Sequence, residues 1–122
     1  NFIKNIIHAL EKFDPVNFEL IIKIKRVNHY TDKNYINYLN KISSINNVKI
    51  ISDISAQSII DSSDIVISLP FTSTSTIAYK KGKKTIYYDP SGRIASTNHS
   101  LSEDIQIINN KENLDNWLIK NL

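Results

Sequence analysis

The sequence predicts an α/β fold built on a mostly parallel sheet. Three observations carry that expectation. Short apolar runs of strand length alternate with segments whose apolar residues recur at helical spacing. The run Ile65–Leu69 is apolar on both faces, as a central parallel strand covered on both sides must be. Chain breakers fall at the joints: Asp14-Pro15, Gly82 and Pro90–Gly92.

Each element follows from its own pattern. Phe2, Ile3, Ile6, Ile7, Leu10 and Phe13 form one helical face, and Asp14-Pro15 stops that helix. Phe18–Lys25 is a strand centred on Leu20-Ile21-Ile22. Asp32–Ser44 is a second helix, capped by Asp32 and striped with Tyr35, Ile36, Leu39 and Ile42. Val48–Ser52 is a short strand. Asp53–Ser62 is a short helix with Ala56, Ile59 and Ile60 inward. The strand Ile65–Leu69 leads through a turn to the helix Thr74–Lys81, which Gly82 closes. Thr85–Tyr88 is the next strand, and Tyr87 and Tyr88 alternate across it, so one should be buried and the other could face a neighbouring element. Pro90–Glu103 is a polar loop and Ile105–Ile108 an edge strand. Lys111–Leu122 is the last helix, with Asn109 and Glu112 spaced as a capping box and Leu114, Trp117 and Leu118 on its apolar face. Crossovers between the parallel strands should be right-handed.

Composition narrows the functional classes. The chain has 122 residues, of which 41% are hydrophobic and 22% charged, enough for one domain with its own core. A net charge of +3 is spread along the chain without a dense Lys/Arg stripe, so no nucleic-acid partner is expected. The absence of cysteine excludes disulfides and thiolate metal sites, and His8, His29 and His99 lack metal-ligand spacing, so no metal is expected. No stretch has the length of a transmembrane span. The chain starts at Asn1 and contains no Met, which suggests a piece of a longer protein.

Ligands of parallel α/β sheets bind beyond the carboxyl ends of the strands. That rule selects Lys25, Arg26 and His29 after the first strand and Asp53 after the second. It selects Pro70–Ser75 after the third, and Asp89, Pro90, Ser91 and Gly92 after the fourth. The hydroxyl run Thr72-Ser73-Thr74-Ser75-Thr76 surrounds a helix start, where unpaired N–H groups and the positive end of the dipole attract anions. Each choice has a plainer counterpart. Thr72–Ser75 could be a hydroxyl-rich cap, and Lys25 and Arg26 a solvated strand end. Asp89 could hold the Asp-Pro-Ser-Gly turn, Asp53 could cap a helix, and His29 could be a surface residue.

Asp64-Ile65-Val66-Ile67-Ser68-Leu69-Pro70-Phe71-Thr72-Ser73, then Ile77-Ala78, then Lys84-Thr85-Ile86-Tyr87-Tyr88-Asp89-Pro90-Ser91-Gly92, resembles the signature of polysaccharide biosynthesis PFTS-motif proteins. These are bacterial surface-polysaccharide proteins similar to GT-B glycosyltransferases, with some bacterial sialyltransferases among the relatives. The resemblance implies a Rossmann-like three-layer sandwich. It makes residues 1–122 a single domain, the C-terminal donor-binding half of a longer protein. It implies a metal-independent transferase with no cofactor, whose substrates are a nucleotide-activated sugar and a glycan or lipid-linked acceptor. Pro70, Phe71, Thr72, Ser73, Thr74 and Ser75, with Lys25 and Arg26, would then hold the donor phosphates. His29, Asp89, Ser91 and Gly92 would contact sugar or ribose. The isolated chain is expected to bind nucleotide weakly and to be inactive. The expected location is the cytoplasm, with peripheral association at the inner face of the membrane as a variant.

The chain departs from that pattern in two places. His29 is followed by Tyr30 where some relatives carry His-Pro, and the helix Thr74–Lys81 lacks the acid that often binds ribose. A rival reading is a non-catalytic or receiver-like interaction module, with Asp53 at a phospho-accepting position. Lys25 and Arg26 stand where a receiver needs paired acids for Mg²⁺. A dinucleotide-dependent enzyme such as an epimerase is disfavoured by the absence of Gly-x-Gly-x-x-Gly.

Overall fold

A computed structural model describes residues 2–24, 32–45, 47–52, 55–70, 72–93 and 105–122. The chain divides into two compact units: residues 13–59, and residues 1–12 together with 60–122. All described strand pairs are parallel.

In the smaller unit, β1 (Leu20–Lys23), α2 (Lys33–Ser43) and β2 (Val48–Ile51) form a β-α-β arrangement. The two strands pair from Leu20↔Val48 to Lys23↔Ile51. Ile24 N–H adds one more bond, to the Ile51 carbonyl at 3.0 Å. Asp32 caps α2 by accepting from the Asn34 N–H at 3.0 Å, as its position before the apolar stripe predicts. Leu39 and Ile42 bury that stripe. Asp14-Pro15 does not end the first helix directly. Helix α1 (Phe2–Leu10) stops earlier, and Asp14 instead caps a 3₁₀ turn at Pro15–Asn17. Helix α3 (Ala56–Asp61) crosses the division between the units.

The larger unit contains β3 (Ile65–Ser68), α4 (Ser73–Lys80), β4 (Lys84–Tyr88), β5 (Gln106–Ile108) and α5 (Lys111–Asn121), together with α1. Its sheet has the order β3-β4-β5, with β4 central. Tyr87 and Tyr88 show how it is layered. Successive strand residues point to opposite faces, so both are buried only if both faces are covered. Both are, at 0% and 1% exposure. One tyrosine is buried and the other faces a neighbouring element, as the alternation allows, and that element buries it as well. On one face the Tyr88 hydroxyl accepts from Asn5 of α1 at 2.8 Å, and the Phe2 ring lies 6.0 Å from the Tyr88 ring. On the other, the Tyr87 hydroxyl meets Thr76 of α4 at 3.4 Å. Tyr87 packs with Ile105 and Ile107 in the core. The unit is thus a small α/β/α sandwich of Rossmann-like type.

Helix α5 packs beside α1 through buried Leu114 and Leu118, with Trp117 half-buried. Its cap is Asn110, which accepts from the Asn113 N–H at 2.8 Å, rather than Asn109. The helix starts at Lys111, so Glu112 sits one position too early for a capping box. Asp115 of α5 accepts from Lys12, just beyond the end of α1, at 3.2 Å and from Lys111 of its own helix at 3.1 Å. Burial pushes the Asp115 pKa up. Hydrogen bonds and charge from Lys111 and Lys12 outweigh this and hold it below the ordinary aspartate value.

Candidate anion site

The β3–α4 turn is built around Ser68, the last residue of β3. The Thr72 hydroxyl donates to Ser68 Oγ at 2.6 Å, and Ser75 Oγ forms a short hydrogen bond with the same atom. Ser68 Oγ also lies 3.2 Å from the Leu69 carbonyl. A hydroxyl has one proton and two lone pairs. If Ser68 gives its proton to the Leu69 carbonyl, it accepts from both Thr72 and Ser75 and is saturated. The sequence supports this geometry because Ser68, Thr72 and Ser75 stand four and seven positions apart across a strand-to-helix corner.

This network has a consequence for α4. Thr72 is its N-cap residue, with extended backbone (φ −85°, ψ 148°), yet its side chain makes no capping hydrogen bond. The Thr72 hydroxyl is turned toward Ser68 and donates there, and its oxygen is not presented to the α4 amides. The first N–H groups of a helix have no partner within the helix, and a Ser or Thr at N-cap commonly accepts from one of them. At α4 that service is absent among the described residues. Ser73 is exposed and Thr74 half-buried, so hydroxyl-bearing residues flank the helix start on its open side. Ser75 is fully buried, and its hydroxyl faces Ser68.

One strand over, the chain leaves β4 differently. Asp89 is 5% exposed, and its Oδ1 accepts from the Ser91 N–H at 2.9 Å and from the Ser91 hydroxyl at 2.6 Å. The Gly92 N–H bonds the Asp89 carbonyl at 3.3 Å, and the Asp89 N–H bonds Ile108 O at 2.8 Å. Gly92 has φ +72°, and a Cβ there would come within 3.3 Å of the Asn109 carbonyl oxygen. Asp89-Pro90-Ser91-Gly92 is therefore a closed Asx-type turn, the turn chemistry that its sequence encodes.

The structure places Pro70 and Thr72 between β3 and α4, and Ser73, Thr74 and Ser75 in the first turn of α4. It places Asp89, Ser91 and Gly92 in the turn after β4, the strand that pairs with β3. Lys25, Arg26, His29, Asp53 and Phe71 lie outside the described residues. Ser68 was not singled out from the sequence, where it is simply a polar residue within an apolar run. Its offset from Thr72 and Ser75 was the available signal. Among the described residues no group of three or more His, Asp or Glu side chains is arranged to hold a metal ion. Among the same residues no helix is long and apolar enough to cross a membrane.

The fold defines an α/β protein of parallel, Rossmann-like construction in which Thr72 stands at the start of α4 after β3. The sequence model of the polysaccharide biosynthesis PFTS motif proteins matches residues 1–118, and the chain belongs to that family. Its family thus ties it to polysaccharide biosynthesis. No curated protein and no solved structure matches the chain.

Proposed function

We propose that this chain is the nucleotide-sugar-binding part of a metal-independent glycosyltransferase in bacterial surface-polysaccharide synthesis, with the donor phosphates at the start of α4. The observation that carries this reading is the diversion of Thr72 to Ser68, which leaves the first turn of α4 without a side-chain cap. An anion there would receive backbone N–H groups and the positive end of the helix dipole. As the bond between sugar and nucleotide breaks, negative charge grows on the departing phosphate, and preorganised N–H donors stabilise that charge most when it is fully developed. Ser73 and Thr74 would add hydroxyl donors from the open side. Membership in a polysaccharide biosynthesis family supports a sugar-linked phosphate over other anions. In this reading the chain is the C-terminal half of a two-domain cleft, and the acceptor and the base that activates it belong to the other half.

The test is a nucleotide titration of the intact protein followed by amide NMR. Nucleoside diphosphates and CMP should shift the N–H resonances of Ser73, Thr74 and Ser75, and a chloride control at matched ionic strength should not. Unchanged resonances at all three amides with every nucleotide would rule the reading out.

A further inference from the structure

Helix α4 meets its sheet through different chemistry from the other helices. Among the described residues, α1 buries Ile6 and Leu10, α2 buries Leu39 and Ile42, α3 buries Ile60, and α5 buries Leu114 and Leu118. Among the same residues, α4 buries Ser75 and Ala78 and no large apolar side chain. Hydroxyl pairs join it to the strands instead. Ser68 of β3 meets Thr72 and Ser75, and the Tyr87 hydroxyl of β4 lies 3.4 Å from Thr76 Oγ1. Ser68 and Tyr87 are register partners across the two strands, so their side chains leave the same face of the sheet. Tyr87 is fully buried there, packed with Ile105 and Ile107.

Apolar contact is non-directional, whereas a hydrogen bond prefers a defined length and angle. The first turn of α4, Ser73–Thr76, therefore takes its place on the sheet from two directional anchors on adjacent strands. Ser68 holds Thr72 and Ser75, and Tyr87 holds Thr76. In sequence, the backbone N–H groups of Ser73, Thr74 and Ser75 lie between Thr72 and Thr76. We propose that Tyr87 is a positioning residue of the anion site, which sets through Thr76 where those N–H groups stand. The proposal rests on the reading that phosphate binds at the start of α4. It adds a residue of β4 that is itself sealed from solvent and acts only through the helix.

The intact protein is titrated with UDP and with CMP and followed by amide NMR. Tyr87→Phe and Thr76→Val each remove a hydroxyl with little change of shape. Each should weaken nucleotide binding about fivefold, the equivalent of one ordinary hydrogen bond. Tyr87→Phe should also move the ligand-free amide resonances of Ser73 and Thr74. Thr76→Ser keeps the hydroxyl and should restore affinity. The double variant Tyr87→Phe/Thr76→Val should bind no more weakly than either single variant, because the two hydroxyls act as one pair. Leu118→Val, which loosens the core at α5, should leave affinity unchanged and so separates position from general stability. Wild-type protein that binds neither nucleotide would refute the phosphate reading and this proposal together. Wild-type binding with Tyr87→Phe and Thr76→Val at undiminished affinity would overturn the positioning role alone. So would losses that add in the double variant, a Thr76→Ser protein as weak as Thr76→Val, or an equal loss in Leu118→Val. If Tyr87→Phe fails to fold, the comparison of Thr76→Val with Thr76→Ser decides.

Discussion

After β3 the chain turns through three hydroxyls, and after β4 it turns through a carboxylate and a glycine. The two corners leave the same end of one parallel sheet, and Ser68 is in register with Tyr87 across the pair. At the second corner the polar groups satisfy one another. Asp89 holds the Ser91 N–H and hydroxyl, and Gly92 supplies the backbone angle that closes the loop. At the first corner the hydroxyls also satisfy one another, but they do so at the expense of the helix. Thr72 bonds Ser68 and not the start of α4. The same residue classes thus produce a self-contained turn in one place and an uncapped helix start in the other. The difference lies in where the partner stands. Ser91 follows Asp89 within the turn, whereas Ser68 lies behind Thr72 on the strand.

If this contrast is right, substitutions in the second turn act on stability and those in the first act on both stability and anion affinity. Asp89→Ala has the largest expected effect on stability. It removes a buried charged acceptor from two donors and should cost about 2–3 kcal/mol in denaturant unfolding. Asp89→Asn keeps an acceptor oxygen and should recover most of that loss. An Asp89→Ala protein of native stability would show that the second turn is not held by its carboxylate. Gly92→Ala comes next, at about 1–2 kcal/mol, because an alanine at φ +72° is strained and its Cβ presses on the Asn109 carbonyl. Nucleotide-induced amide shifts at Ser73 and Thr74 should survive Gly92→Ala. The smallest stability effect is that of Ser68→Ala, about 1 kcal/mol from lost hydroxyl bonds. Here the informative readout is affinity. Freed from Ser68, Thr72 can turn to the α4 amides and compete with a bound anion. Nucleotide affinity should therefore fall in Ser68→Ala by more than its stability loss accounts for, and equal affinity would erase the contrast between the corners.

Much of the fold was legible because local patterns carried it. Helix stripes such as Tyr35, Ile36, Leu39 and Ile42, and the doubly apolar run before Pro70, located elements to within a few residues. The boundaries that moved did so for identifiable reasons. Asp14 could cap a 3₁₀ turn as readily as it could end a helix, and Asn109 and Asn110 are equally good cap residues until the helix start is known. The candidate site was legible as a hydroxyl run at a strand end. Which hydroxyls face which partner was not, because a bond from Thr72 to Ser68 depends on how the strand and helix meet.

The sequence by itself determined the α/β class, the parallel character of the strands and the turn chemistry of Pro70–Ser75 and Asp89–Gly92. Those properties follow from spacing and from the conformations each residue type allows. Only the tertiary structure decided that both Tyr87 and Tyr88 are buried, that Thr72 donates its hydrogen bond to Ser68, and that the last turn of α5 meets Lys84 beside Gly82. Each of these depends on elements far apart or differently oriented along the chain. Their meeting is set by packing across the sheet, which no local pattern encodes.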